Sequence, residues 1–372
     1  MSDKATVNRE ALLKTIALVR PALATQTFIP AYNHIAFDGE SALAHNDITA
    51  IEVRCPFPEP CCIPGDLLIK ALGSFSAESV LIQRMGQEQT VLVSSGRSKL
   101  KLPTLPRKQF PFEFPNEGYS DYIRLESEIM GALNKCLISA GNNPNHPSTM
   151  GVTLDVDDHG NAVLYATDNY TVSMHGTKTK IKLPGASPVI LPTFFCNQLL
   201  SLLKAFPDLK NEIVLFLYPG ALQADFGDHG YEASLFTKTI ADIEPLDFDR
   251  MLKRHVNLKE LEKLSEIPGA FDSAFARQLL VLGNEADKVT RATYDDGVIK
   301  LHSQSQTGES DEAFPFDGPK EPMDFYVDPT YVVRASKLCD RMALGNKVLI
   351  LASGDSFVHI IAHVSAPAPD RR

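Results

Sequence analysis

Asp155, Asp157, Asp158 and His159 crowd four groups able to ligate a cation or move a proton into five positions. They fall in VTLDVDDHGNAVLYATD (152–168), where Asp, His and Gly between two alternating apolar runs read as a hairpin turn, so they are expected to shape backbone rather than hold metal. Cys55, Cys61 and Cys62 form a second near-cluster without a histidine partner, and buried or strand-end thiols are the better reading. The ten histidines are dispersed, and none stands with a cysteine at zinc-finger spacing. GxGxxG, GxxxxGK[ST] and HExxH are absent. Without a nucleophile–base constellation the sequence predicts no catalysis, no cofactor and no metal site. An unrelated enzyme of repeated α+β design is the least favoured reading, and binding is what must be positioned.

The composition suits a soluble globular protein: 372 residues, 44% hydrophobic and 22% charged. That length predicts two to four domains. Thirty-six Lys+Arg against 46 Asp+Glu leave a net charge of -10, which argues against an overall basic surface but allows a basic strip on an acidic body. No apolar run reaches the ~18 residues of a membrane span. The polar opening MSDKATVNRE predicts no signal peptide. Six scattered cysteines without a CxxC pair predict reduced thiols and a cytoplasmic location.

The elements repeat. HIAFDGESALAHND (34–47), VTLDVDDHGNAVLYATD (152–168) and RATYDDGVIKLHSQ (291–304) each alternate, turn at a glycine (Gly39, Gly160, Gly297) and alternate again, as hairpins do. A helix is predicted before each, over 8–20, 127–140 and 272–283, opening at Asn8, Ser127 and Asp272. A second follows each, over 63–75, 191–206 and 328–339, with Pro64, Pro192 or Pro329 near its start. Strands such as ESVLIQRM, NEIVLFLY and NKVLILAS come next, and 98–114 and 233–248 each run from a strand into a Pro-containing linker. The plan is strand, helix, strands, helix, strands, three times. An α+β fold of three repeated domains, 1–118, 119–250 and 251–372, is expected. The segment HVNLKELEKLSEIPG (255–269) reads as an added amphipathic helix with Leu258, Leu261 and Leu264 on one side.

Three such units in series should form an arc, and two arcs can close head to tail into a ring. The six helices carry nine basic residues, Arg9, Lys14, Arg20, Lys70, Lys135, Lys204, Arg277, Arg334 and Lys337. Against them stand five acids, Glu10, Asp66, Glu128, Asp272 and Asp328, all in first turns where the helix dipole favours them. If the helices face one way, that face is positive and suits sequence-independent phosphate contact. The alternative is an ordinary solvated helix face.

SSGRSKLKLPTLPRKQFPFEFP (94–115) resembles the SGRSxFxLxTLPxxDFP segment of the bacterial DNA polymerase III β sliding clamps. VLYATDNYTVSMH (163–175) is similar to that family's ATDGHRLA stretch and LGNEADKVTRATYDDGVIKL (282–301) to its LSNExxRGVRL segment. VNREALLKTIALV (7–19) and IEPLDFDRML (243–252) resemble its opening helix and its FPDYRRVLP linker. The likeness runs in order along nearly the whole chain. It implies a homodimeric six-domain ring with helices lining the hole, encircling double-stranded DNA and tethering the replicative DNA polymerase. The nine helix cations would then face DNA.

The resemblance also implies a pocket that takes short apolar peptides, rich in Gln, Leu and Phe, from polymerases, the clamp loader and repair proteins. Its positions here are Thr149, Thr167, Asn169, Tyr170, Thr171, Val172, Leu246, Arg250, Met251, Asp328, Tyr331 and Phe357. Thr149 and Thr167 are equally explained as strand packing. The family's Gly-His-Arg-Leu is Asn169-Tyr170-Thr171-Val172 here, Asp287 and Asp355 replace a phenylalanine and a valine, and the chain ends HVSAPAPDRR, so altered or weakened specificity is expected. For ring closure the resemblance implies that Leu100 and Leu102 meet Val281 and Leu282, with Arg97 and Lys99 beside them and Glu309, Asp311 and Glu312 available for pairing. Leu100 and Leu102 also fit ordinary core positions. The alternative function is a clamp-like factor that binds replication proteins without closing around DNA.

Overall fold

The computed structural model describes residues 4–58, 60–85, 89–183, 187–239, 243–248, 250, 264–283 and 285–366. The first repeat contains β1 (Lys4–Asn8), α1 (Arg9–Val19), β2 (His34–Phe37), β3 (Ser41–His45), β4 (Thr49–Arg54), β5 (Cys61–Pro64), α2 (Gly65–Ser74), β6 (Ser79–Arg84), β7 (Thr90–Ser95) and β8 (Ser98–Pro103). The second contains β9 (Asp121–Arg124), α3 (Ser127–Cys136), β10 (Gly151–Val156), β11 (Asn161–Thr167), β12 (Thr171–Lys180), β13 (Val189–Pro192), α4 (Thr193–Ala205), β14 (Ile213–Tyr218), β15 (Ala221–Phe226) and β16 (Ala233–Lys238). The third contains β17 (Ser265–Glu266), α5 (Phe271–Leu282), β18 (Thr290–Asp295), β19 (Val298–Ser305), β20 (Gly308–Pro315), β21 (Met323–Val327), α6 (Pro329–Ser336), β22 (Arg341–Leu344), β23 (Val348–Ser353) and β24 (Phe357–Ala362). The order within each repeat is the expected one.

Local chemistry explains most element ends. The hairpin glycines Gly39, Gly160 and Gly297 have φ of 113°, 79° and 75°, a region open to glycine at little cost. Asn8 caps α1 through its side-chain oxygen, which accepts from the Ala11 amide at 2.9 Å. Two expected caps differ. Ser127 lies inside α3, and its amide donates to the Asn211 side chain. Asp272 lies in the first turn of α5, where its carboxylate accepts from Ser336 Oγ instead of an amide of its own helix. All three prolines lie at helix starts as expected: Pro329 opens α6, and Pro64 and Pro192 end the preceding strands directly before α2 and α4. Of the helix expected over 255–269, residues 255–263 lie outside the described residues. The rest is not helical, because Ser265 and Glu266 pair as a strand with Met342 and Arg341.

Among the described residues, antiparallel pairing builds two four-stranded and two eight-stranded sheets. Each repeat supplies two four-strand sets. In the first these are β5-β2-β3-β4 and β1-β6-β7-β8, and the pattern recurs in the second and third. Two joints link sets from successive repeats: β4 pairs with β16 and β12 with β24. Contacts divide the chain into two compact units, Met1–Ser127 with Asn197–Asp242, and Glu128–Cys196 with Ile243–Arg372. This division follows the joined sheets, so packing and sequence repeat have different boundaries. Each unit holds one eight-stranded and one four-stranded sheet.

In the second unit, Phe271 and Phe275 of α5 pack with Val332 and Ala335 of α6 against Leu301, Phe314, Leu351 and Ile361. In the first unit, Phe110, Phe112 and Phe114 of the linker after β8 cover Ala36, Leu43, Ala50 and Phe236. Removing such side chains from water contributes about 1.5–3 kcal/mol each. Among the described residues no helix is long and apolar enough to cross a membrane.

Candidate functional site

Of the predicted peptide-pocket positions, Asn169, Tyr170, Thr171 and Tyr331 lie at or beside the β11–β12 turn in the second unit. Asp168 accepts from the amides of Tyr170 and Thr171 at 3.0 and 2.6 Å, and Thr167 Oγ1 accepts from the Asn169 amide. Asn169 takes φ of 73°, a left-handed value that asparagine tolerates. This rigid turn projects Tyr170, 58% exposed, beside Tyr331 of α6, with ring centroids 6.1 Å apart and planes within 17°. Burial, then the nearby Asp168 and Asp328 charges, push the Tyr331 phenol up to about 12. Asp328 caps α6, accepting from the Thr330 amide at 2.7 Å. Val172 packs with Leu264 and Val358 around Val348, Ile350 and Ile360, an apolar surface on the same sheet. The Leu246 carbonyl accepts from Tyr165 Oη, whose ring stacks on Phe248 at 4.3 Å.

Other pocket positions lie inside. Thr149, Thr167, Thr171 and Phe357 are buried. Thr149 Oγ1 donates to the His146 carbonyl, and Phe357 lies beneath the Lys135 ammonium, 5.2 Å from its ring centroid. Arg250 is exposed, and Met251 lies outside the described residues. A groove of about 890 Å³ in this unit is lined by Leu264, Pro319, Pro322, Phe325 and Leu344 among others, and by none of the predicted pocket residues.

Beneath the turn lies a polar chain with no local sequence signal. Thr171 Oγ1 donates to Ser139 Oγ at 3.0 Å, Ser139 Oγ lies 2.8 Å from Ser173 Oγ, and Ser173 Oγ lies 2.8 Å from His359 Nδ1. The Ser173–His359 pair has the spacing of a nucleophile and its base. Both residues are buried, however, so the pair braces the turn and the β12–β24 joint. Burial lowers the His359 pKa to about 3, His363 to about 4 and, in the first unit, His45 to about 4. The unfolded chain protonates these rings near pH 6.5, the native chain only near 3 to 4. The unfolded state therefore binds more protons between those values, and stability falls as pH drops from about 6.5, by up to about 1.4 kcal/mol per pH unit for each ring. Urea midpoints measured at pH 7.5 and 5 should show the fall, and His359→Gln should flatten it. An unchanged slope in that variant refutes the assignment.

The nine helix cations do not all present a bare charge. Lys14 pairs with Glu10 at 3.0 Å, Arg20 with Asp66 at 3.3 Å, and Arg277 makes a two-pronged pair with Glu312. Arg9 donates to the Ala77 carbonyl and Arg334 to the Ile138 carbonyl. Lys70, Lys204 and Lys337 are exposed. Exposed pairs are worth about 0–1 kcal/mol, so Lys14 and Arg20 can exchange carboxylate for phosphate at small cost.

The ring-closing positions sort by exposure. Leu100 on β8 is 38% exposed, whereas Leu102, on the same strand face, is 3% exposed within its own sheet. On α5 the buried stripe of Phe271, Ala274, Phe275, Gln278 and Leu282 makes Leu282 core, Val281 is half-buried, and Leu280 stands out at 79% exposure. Helical periodicity over 271–282 was the signal that singles out Leu280. Arg97 and Lys99 are exposed on the β7–β8 turn and β8. On β20, Glu309 and Asp311 are exposed, and His302 Nδ1 of β19 lies 3.7 and 2.9 Å from their carboxylates. These three donors lie within 4.8 Å of one another, close enough to share a cation, although His302 already bonds to Asp311. In the 155–159 cluster Asp157 serves the turn, accepting from His159 and Asn161.

The fold is that of the sliding clamps. A DnaN sliding clamp (DNA polymerase III subunit beta) from Pseudomonas aeruginosa superposes with a TM-score of 0.80 at 20% identity, over 98% of this chain and 100% of that one. The DnaN sliding clamp from Bartonella birtlesii gives 0.82 at 16% identity, over 98% and 100%. No family model matches the sequence. The chain is a divergent relative of proteins named beta sliding clamp. It is 23% identical to that of Pseudomonas aeruginosa over 316 residues, 83% of this chain and 82% of that protein. It is 22% identical to that of Salmonella typhimurium over 380 residues, 98% of this chain and 99% of that protein.

Proposed function

We propose that this chain is a DNA sliding clamp, a binding protein and not an enzyme. Two copies close as a homodimeric ring of six domains (1–118, 119–250 and 251–372 in each) around double-stranded DNA and tether the replicative DNA polymerase. The observation that carries this reading is the strand pairing. On one side, the described four-strand sets end in β4, β8, β12, β16, β20 and β24, and on the other in β1, β5, β9, β13, β17 and β21. Four of the first side are consumed in the joints β4–β16 and β12–β24, leaving β8 of the first repeat and β20 of the third. A second copy offers the complementary pair of edges, so two copies use every strand of the first side, and that pairing covers the β8 and β20 edges. Leu100 and Leu280 add apolar surface at this seam, and the nine helix cations supply weak contacts that let the ring slide.

The polymerase and the clamp loader engage the Tyr170–Tyr331 surface beside Val172, Leu246 and Arg250 through apolar peptides, and the protein works in the cytoplasm. Incubation with a clamp loader, ATP and nicked circular plasmid, followed by gel filtration, tests the topology. The protein should travel with the circle and be lost when the plasmid is linearised. Equal retention on both forms, or on neither, counts against encirclement. The ion pairing of Lys14, Arg20 and Arg277 favours the second reading, a clamp-like factor that binds replication proteins without enclosing DNA. A monomer at micromolar concentration would support it.

A further inference from the structure

We propose that His302, Glu309 and Asp311 form a zinc site on the β19–β20 hairpin, with one ion per chain held by an imidazole nitrogen and two carboxylate oxygens. The site stands apart from the ring reading and holds whether or not two copies close.

Strand pairing makes the cluster. β19 and β20 run antiparallel with His302 opposite Asp311 and Gln304 opposite Glu309. Side chains alternate along a strand, so His302, Asp311 and Glu309 share one face, and Leu301, Ser303 and Ser310 share the face turned to α5. His302 Nδ1 lies 2.9 Å from an Asp311 carboxylate oxygen and 3.7 Å from one of Glu309. The three donor atoms fall within 4.8 Å of one another, and among the described residues no other three His, Cys, Asp or Glu side chains meet this closely. The acids stand well beyond His302 in the chain and match no local ligand motif, so the sequence alone predicts no metal here.

The ligands are positioned from behind. Ser303, next to His302, lies with its hydroxyl 2.8 Å from that of Thr290, and both residues are buried. Ser310, between the two acids, accepts from Gln278 Nε2 of α5 at 3.0 Å. The turn joining the strands is tied as well, since the Ser305 and Thr307 hydroxyls both donate to the Val281 carbonyl, at 2.7 and 3.2 Å. This frame holds the three side chains together before any ion arrives, as a binding site requires.

Geometry and charge favour an ion over a hydrogen bond alone. An imidazole N–H serves one acceptor well, yet two carboxylates converge on Nδ1. Zinc bonds nitrogen and oxygen at about 2.0–2.2 Å, which in a tetrahedron sets ligand atoms about 3.3–3.6 Å apart. The observed 2.9 and 3.7 Å lie on either side of that spacing, so small side-chain shifts admit the ion. His302 then gives up its Nδ1 proton, and Asp311 exchanges a hydrogen bond for a metal bond. The two carboxylates repel each other, and a doubly charged cation cancels both charges. Arg291, opposite His302 on β18, would oppose the ion, but its guanidinium is held by Asp324 through two bonds of 3.0 and 2.6 Å. A hollow of about 380 Å³ lined in part by His302, Asp311 and Thr293 opens beside the donors and has room for the water that completes four ligands. Lys300 also lines it, opposite Ala313 rather than an acid. One nitrogen with two oxygens suits zinc better than magnesium or calcium, which take all-oxygen shells. The ion clips β19 to β20 and stabilises the second unit by mass action.

Calorimetric titration of the full-length protein with zinc chloride, beside His302→Ala, Glu309→Gln and Asp311→Asn, tests the site. The wild type should bind one zinc per chain. Each variant should bind it at least about tenfold more weakly, since loss of even a residue behind a metal ligand costs about 10–100-fold. These ligands lie at the surface, so the substitutions leave the fold intact. His159→Ala, which removes an exposed histidine beside Asp157 and Asp158, should change nothing. Zinc should raise the thermal midpoint of the wild type and not that of Asp311→Asn, and millimolar magnesium should not displace it. Equal uptake by the wild type and all three variants means an adventitious ion only and overturns the site. Absence of binding, or displacement by magnesium, overturns it too.

Discussion

Leu100→Asp combined with Leu280→Asp yields a folded monomer that circular DNA does not retain. Both leucines are exposed in the single chain, at 38% and 79%, so the substitutions cost the isolated fold little. At a closed seam each would be covered. Burying a leucine contributes about 1.5–3 kcal/mol, and two leucines at each of two seams are lost. Forcing a carboxylate into the same contact adds a desolvation penalty. Even a total of about 6 kcal/mol weakens dimerisation more than about ten-thousandfold. Sedimentation velocity at micromolar protein should move from dimer to monomer with the thermal midpoint nearly unchanged, and plasmid retention should vanish with it. Leu102→Asp is the wrong probe. That side chain is 3% exposed among its own sheet's residues, and its loss would unfold the first unit rather than open a ring. A double variant that remains dimeric removes these leucines from the seam.

Phe357→Ala and Tyr170→Ala should separate completely, though the resemblance puts both in the peptide pocket. Phe357 is among the largest fully buried side chains, and its ring lies under Lys135 and 5.8 Å from His175. Its truncation should cost about 3–5 kcal/mol through lost burial and a cavity. Tyr170 stands in solvent on a turn whose hydrogen bonds come from Asp168 and Thr167, so its truncation should cost under about 0.5 kcal/mol. It should nevertheless weaken capture of a fluorescent Gln-, Leu- and Phe-containing peptide by about tenfold or more, as loss of an aromatic anchor does. Urea unfolding followed by more than one probe is the appropriate measurement, because a chain of two compact units need not unfold in one step. If Phe357→Ala folds with wild-type stability and fails only in peptide capture, the packing role assigned to that ring is wrong.

The surfaces were legible to different depths. The Asp168–Thr171 turn was within reach though not predicted, because Asp and Asn beside alternating strands declare a turn through their own side chains. The exposure of Tyr170 was within reach for the same reason. Thr171 and Phe357 were not readable as buried. Alternation tells which residues share a face, but what covers that face comes from segments far along the chain. Leu100 and Leu102 show the same limit, with one face, two residues apart, and opposite exposures. Leu280 was within reach, since the buried stripe on α5 leaves it outside. The Ser173–His359 contact was out of reach, since it bridges 186 positions.

By themselves the residues determined the threefold plan, the hairpins at Gly39, Gly160 and Gly297, the Asn8 cap and the placement of Glu10, Asp66, Glu128 and Asp272 in first turns, whereas Asp328, expected there too, is the cap of α6. Each depends on contacts a few positions apart, where backbone sterics and side-chain hydrogen bonds act without outside help. The tertiary structure alone decided that β4 joins β16 and β12 joins β24, which strands keep bare edges, and which cations already hold a carboxylate. Strand pairing uses main-chain groups that every residue carries, so nothing in the local sequence names the partner. Only the packing of the whole chain selects it.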